Sequence, residues 1–150
     1  MVLACVACAT CVALAGCGDA ASKAPTYAAA GNAICADEAA HLAGLHRPAT
    51  IEQAVAYLPP ALAILRSETS RLQALHASGS SSAKLAAALA SARALAALLA
   101  RLRRQLRHGM VEFSELAVVQ SRAAALQAQI AARFREAGLP RCAIGRRSAD

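Results

Sequence analysis

The sequence predicts an all-α protein, an up-down-up-down four-helix bundle following an N-terminal signal helix. Three observations predict it. Aromatic residues make up only 3% of the chain while hydrophobic residues make up 57%, an alanine- and leucine-rich balance that suits slim, closely packed helices rather than a sheet sandwich. Apolar residues recur at alternating four- and three-residue spacing over long stretches, the repeat that holds one helix face against its neighbours. Short turn signals rich in Gly, Ser and Pro separate these stretches, which makes consecutive helices antiparallel.

The first element is a leader. Residues Val2 to Ala15 carry no charged side chain. At roughly 14 residues the run is short of the ~20 that span a bilayer as a helix, and it fits the apolar region of an export signal. It closes on Leu14-Ala15-Gly16-Cys17, the pattern of a bacterial lipobox. Ala15 and Gly16 let the processing enzymes reach an extended backbone, and Cys17 supplies the sulfur for a diacylglyceryl thioether. Residues 1–16 are therefore expected to be a lipoprotein signal peptide and Cys17 to be the lipidated residue. No Lys or Arg precedes the apolar run; a leader extending upstream of Met1 would supply one. An ordinary cleaved signal and an uncleaved anchor are the alternatives. Cys5, Cys8 and Cys11 repeat every third residue but have no polar shell for thiolates, and read as small apolar residues of a discarded segment.

Residues 17–26 form a tether. Gly18 to Thr26 are small and polar, with Asp19, Ser22, Lys23 and Pro25, a flexible composition. At about 3.5 Å per residue, the tether holds the folded part within ~30 Å of the membrane.

Helix 1 is predicted over Tyr27 to Leu45, with Ile34, Leu42 and Leu45 as its apolar face; His46-Arg47-Pro48 ends it, because a residue before proline is pushed from helical angles. Thr50 with Gln53 forms a capping-box pattern that opens helix 2. There Ile51, Val55, Leu58, Leu62, Leu65 and Leu72 make the clearest stripe in the chain, broken at Thr69, with Leu75 beside it. Pro59-Pro60 interrupts the helix at a cost of roughly 3 kcal/mol in a regular one. The stripe keeps its phase across them, so a kinked helix is expected, with a fresh helix starting at Pro60 as the alternative. Ser78 to Ser82 is a turn whose last serines are placed to cap helix 3, predicted from Ala83 to Arg107. Its face is Leu85, Leu89, Leu95, Leu99, Leu102 and Leu106, with Ala88, Ala92 and Ala96 allowing close approach. Gly109 suits the left-handed end of that helix. Helix 4 follows from Glu112 to Ala137 with Phe113, Leu116, Val119, Leu126, Ile130 and Phe134 inward, stopped by Gly138 and Pro140. The bundle thus spans 27–142, and residues 143–150 are a basic tail.

In this topology the start of helix 1 and the end of helix 4 share one end of the bundle. Cys35 and Cys142 are thereby brought together, and two thiols in an oxidising compartment pair. Closing so long a loop stabilises by about 4.7 kcal/mol in the chain-entropy model.

The formal charge is +7, none of it in the leader. Such a balance favours anionic lipid headgroups or teichoic-type polymers, and export argues against nucleic acid. Arg133, Arg135, Arg141, Arg146 and Arg147 gather at the tethered end and are candidate contacts for anionic lipid, at about 1 kcal/mol each near the surface. Arg101, Arg103, Arg104 and Arg107 complement a helix C-terminus. His41, His46, His76 and His108 are too scattered to nominate a metal site, and no Cys-x-x-Cys-His haem attachment accompanies Met110. Glu112 and Glu115 favour a helix start, and no serine sits in a nucleophile-elbow pattern. No catalytic residue, metal or cofactor is expected. Leu85 to Ala100 is apolar enough to raise a second membrane span, but Arg93 at its centre costs roughly 2.5–3.5 kcal/mol, which favours a bundle helix.

The lipobox, the short spacer, Asn32-Ala33-Ile34-Cys35 and the closing Gly138-Leu139-Pro140-Arg141-Cys142 together resemble a group of small exported helical lipoproteins from GC-rich bacteria. The resemblance spans the chain, has the lipobox as its specific motif, and carries no active residue with it. It implies a lipid-anchored protein on the extracytoplasmic face of the cell membrane. The function expected is a structural or protein-interaction module of the cell envelope. The alternative is a small-ligand or metal-binding accessory to a transporter or redox chain.

Overall fold

Helical signals account for the four long described elements. The computed structural model of the protein describes residues 26–111 and 113–144, which form α1 (Tyr27–Ala43), α2 (Ile51–Gln73), α3 (Ser80–Arg107), α4 (Phe113–Glu136) and a short α5 (Arg141–Ile144). The segment expected to be leader and tether lies outside the described residues up to position 25, including Cys17, as do Glu112, Arg146 and Arg147, while Thr26, expected to end the tether, is the N-cap of α1. The architecture is an all-α bundle in which α2 packs on α1 and α3, and α4 on α3 and α5.

Helix ends follow the capping chemistry of the sequence, with two exceptions. Thr26 accepts from the Ala29 N–H to open α1. Thr50 Oγ1 accepts from the Gln53 N–H at 3.2 Å, and Gln53 Oε1 in turn accepts from the Ala49 N–H at 2.7 Å. The reciprocal arm of the capping box therefore reaches one residue further back than expected. Gly109 and Gly138 both take positive φ, and the N–H groups of Met110 and Leu139 return to the carbonyls of Gln105 and Phe134, the six-to-one bond that closes a helix on a left-handed glycine.

The first exception is α3, which starts at Ser80 rather than Ala83. Gly79 precedes it at φ 58° and no side chain caps it. Glycine makes the reversal, and the serines expected to cap lie inside the first turn instead. The second is α1, which stops at Ala43 rather than Leu45, with Gly44 donating back to Ala40. The tail also begins later than expected, because Ala143 is buried within α5.

Pro59 and Pro60 lie inside α2, and the helix runs unbroken through them. A fresh helix at Pro60 is thereby excluded. Leu58, Ala61 and Leu62 around the prolines are buried, so packing offsets the lost backbone donors.

Two core clusters fix the helix directions. At one end, Leu65 and Leu72 of α2 meet Leu85 and Leu89 of α3 and Ile130 and Phe134 of α4. At the other, Leu58 of α2 meets Leu102 and Leu106 of α3, with Val111, Leu116 and Val119 around them. Late α2 thus faces early α3 and late α4, the antiparallel alternation the sequence predicts. Among the described residues α1 and α4 make no direct backbone approach; α5 touches both and bridges them. The alanines and leucines of α3 make it long and apolar enough to cross a membrane by length and composition. Its leucine face is instead packed between α2 and α4.

Candidate functional site

The junction of α1, α2 and α5 gathers the chemically distinctive side chains. Cys35 and Cys142 are disulfide-bonded across 107 residues, with Cα atoms 4.9 Å apart, as the topology predicted. The approach depends on Gly31, one turn before Cys35. A Cβ there would stand 2.5 Å from Leu139 Cδ2, and Leu139 is fully buried. Asn32 locks the same contact from the side, its Oδ1 accepting from the Arg141 backbone N–H at 2.9 Å.

Beside the disulfide stands a carboxyl group. Glu68 of α2 is only 6% exposed, and its Oε1 lies 3.3 Å from Cys35 Sγ. Cys142 Sγ is also 3.9 Å from the Gly31 carbonyl oxygen. The two sulfurs and a Glu68 oxygen all fall within 4.8 Å of one another, every one of them buried.

One turn further along α1, a second carboxyl is buried. Glu38 Oε1 accepts from Ser67 Oγ at 2.8 Å and from Arg71 Nη1 at 2.9 Å. Arg71 also donates to Asp37. That hydrogen bond, with the guanidinium charge behind it, holds the exposed Asp37 carboxyl below its ordinary range and raises Arg71. His41 Nδ1 is 3.8 Å from Glu38 Oε2 on the exposed side. Tyr27 packs against the same core; its hydroxyl is buried without a hydrogen-bond partner among the described residues, and burial raises its pKa.

The arginines expected to meet anionic lipid divide. Arg133 is half-buried and donates to Ser91 Oγ and the Ala87 carbonyl, so it ties α4 to α3. Arg135 and Arg141 are exposed at this end. The histidines His41, His46, His76 and His108 are all exposed, and among the described residues none belongs to a cluster of metal-ligating side chains.

At the opposite end an open groove of about 330 Å³ runs between α3 and α4, with Leu98, Leu102, Val111 and Val119 along it and Arg101 and Arg122 at its rim. Val118 beside it is 67% exposed and nearby Met110 60% exposed.

The polar partners Glu38 and Glu68 were missed from the sequence, and a signal for each was present. Gly31, Cys35 and Glu38 follow the four-three spacing of a buried face, whereas Ile34, Leu42 and Leu45, which hydropathy favoured, are only half-buried. In α2 the stripe passes from Leu65 to Leu72 through Glu68, with Thr69 half-buried beside it and bonded back to the Leu65 carbonyl. No protein-family model, curated protein or solved structure matches the chain.

Proposed function

We propose that the protein is a lipid-anchored helical module of the bacterial cell envelope, held at the extracytoplasmic face of the membrane through Cys17 and acting as a structural or protein-interaction element rather than an enzyme. The observation that carries this reading is the apolar leader ending in Leu14-Ala15-Gly16-Cys17. Two features of the folded part support it. Tyr27, the first residue of α1, packs at the disulfide end of the bundle, opposite the end that holds the α3–α4 groove. That groove carries exposed apolar side chains of the kind enriched where proteins meet.

The test has two arms. Radiolabelled palmitate enters the wild-type chain and not Cys17→Ala, and the variant leaves the membrane fraction; equal labelling or unchanged fractionation overturns the anchor. A photo-crosslinking residue at Val118 captures a defined envelope protein in intact cells, while the same residue at Ala28 does not; equal capture at both overturns the interaction surface. A second reading, a small-ligand accessory protein for a transporter or redox chain, is favoured by the size of the same groove, which lies at the lower edge of ligand-pocket volumes. Co-purification of one small molecule, displaced by Leu102→Trp, would favour it over the first.

A further inference from the structure

We infer that the reduced protein carries a binding site for a thiophilic divalent cation of zinc's class, formed by Cys35, Cys142 and Glu68, so that the α1–α2–α5 junction exchanges a covalent staple for a metal one.

The donor set and its spacing carry the inference. Tetrahedral zinc takes sulfur at ~2.3 Å and carboxylate oxygen at 2.0–2.2 Å, which places neighbouring ligand atoms about 3.5–3.8 Å apart. Glu68 Oε1 stands 3.3 Å from Cys35 Sγ, and the Gly31 carbonyl oxygen 3.9 Å from Cys142 Sγ. All three side-chain ligand atoms already lie within 4.8 Å of one another. The distance that must change is the one between the sulfurs, which part by roughly 2 Å on reduction to reach that ligand spacing, a shift within reach of side-chain rotation. The three ligands come from three different helices, so the site exists only in the folded arrangement. Two thiolates select zinc, cobalt or copper(I) over calcium or magnesium, which prefer all-oxygen shells.

The redox dependence follows from the chemistry of sulfur. In the disulfide both sulfurs are neutral and bonded to each other, and are poor ligands. A phosphine and water reduce the bond, giving two thiols and the phosphine oxide. The cation then displaces both thiol protons to solvent and binds the two thiolates and the Glu68 carboxylate, its two positive charges offsetting two of the three negative charges in a dry site. Without the cation, ionising them there is costly.

The experiment uses the full chain, phosphine-reduced under argon, with Co2+ as spectroscopic probe and Zn2+ as competitor. One equivalent of Co2+ is expected to produce an intense thiolate-to-cobalt charge-transfer band with tetrahedral visible bands, both discharged by Zn2+. The oxidised protein is expected to show neither. Cys35→Ser and Cys142→Ser each abolish the charge-transfer band's full intensity, and Glu68→Gln weakens Co2+ affinity by at least about tenfold while retaining sulfur ligation. Helix content is followed by circular dichroism alongside, because metal binding at such a site is coupled to folding: Zn2+ is expected to raise the thermal midpoint of the reduced wild type and to raise that of Glu68→Gln less. Reduced protein that takes up no cobalt, zinc that leaves the midpoint unmoved, or Glu68→Gln indistinguishable from wild type overturns the site.

Discussion

The two ends of the bundle are built from the same helices and differ sharply in how they are closed. At the disulfide end Leu72, Ile130, Phe134 and Leu139 are fully buried, five elements meet, and a covalent bond ties the first helix to the last. At the far end Leu58, Leu102 and Leu106 form a smaller cluster, each with some residual exposure, and Met110 and Val118 stand in solvent. The cause is length. α1 has 17 residues where α2 has 23 and α3 has 28, so at 1.5 Å per residue α1 stops short of the far end and leaves three helices to cover one another there. An end that is over-determined suits a buried chemical cluster, and an end lacking a fourth wall suits a partner or ligand.

The largest break in that contrast comes from removing the disulfide. Cys35→Ala with Cys142→Ala is expected to lower unfolding free energy by about 4.7 kcal/mol in the chain-entropy model, measured by denaturant titration. Amide exchange protection in α1 and late α4 should fall toward that of early α4. If exchange at the disulfide end stays slower by its original margin, packing rather than the bond makes the difference.

Next in size is a matched pair of core truncations. Phe134→Ala should cost about 3–5 kcal/mol, whereas Leu106→Ala, at a site that water already reaches, should fall near 2 kcal/mol. Equal losses would mean that the far end is as tightly packed as its opposite. A sharper probe is Gly31→Ala, where the added methyl meets Leu139. Overpacking of this kind costs roughly 1–3 kcal/mol, and pairing it with Leu139→Ala should recover part of the loss if that contact is the cause.

The smallest effect concerns pH. Asp37 has its pKa lowered in the folded state by the hydrogen bond from Arg71, so its contribution is complete above the unfolded value, about 3.9, and is lost as pH falls through the lower folded value. Acid titration of thermal stability should therefore show a slightly weaker loss in Asp37→Asn than in wild type. The carboxyl is solvent-exposed, so the difference should be small and reduced further by salt. An identical acid limb in both proteins would assign acid sensitivity to groups other than Asp37.

Much of this architecture is readable from residue order. The leucine stripes of α2 and α3, the Thr50 cap and the glycines after α3 and α4 are local signals, each set by period or backbone angle within a few residues. They place the helices and their directions, and from directions alone the Cys35–Cys142 pairing follows. α5 was unreadable because four residues carry no periodicity, and its helix is held by Cys142, Leu139 and the Asn32 contact rather than by propensity. The face of α1 was misread because hydropathy ranks Ile34 above Gly31 and Glu38, although the latter two fit the helical repeat as well.

By itself the sequence determined the four long helices, their antiparallel order and the cysteines that would meet. Those features depend on neighbours along the chain. Only the tertiary structure decided that Glu38 and Glu68 are buried, that Gly31 is a contact for Leu139, and that α1 ends before the bundle does. A carboxyl in a leucine stripe faces water or a buried sulfur according to what packs across from it, and that partner belongs to another helix, brought there by the fold.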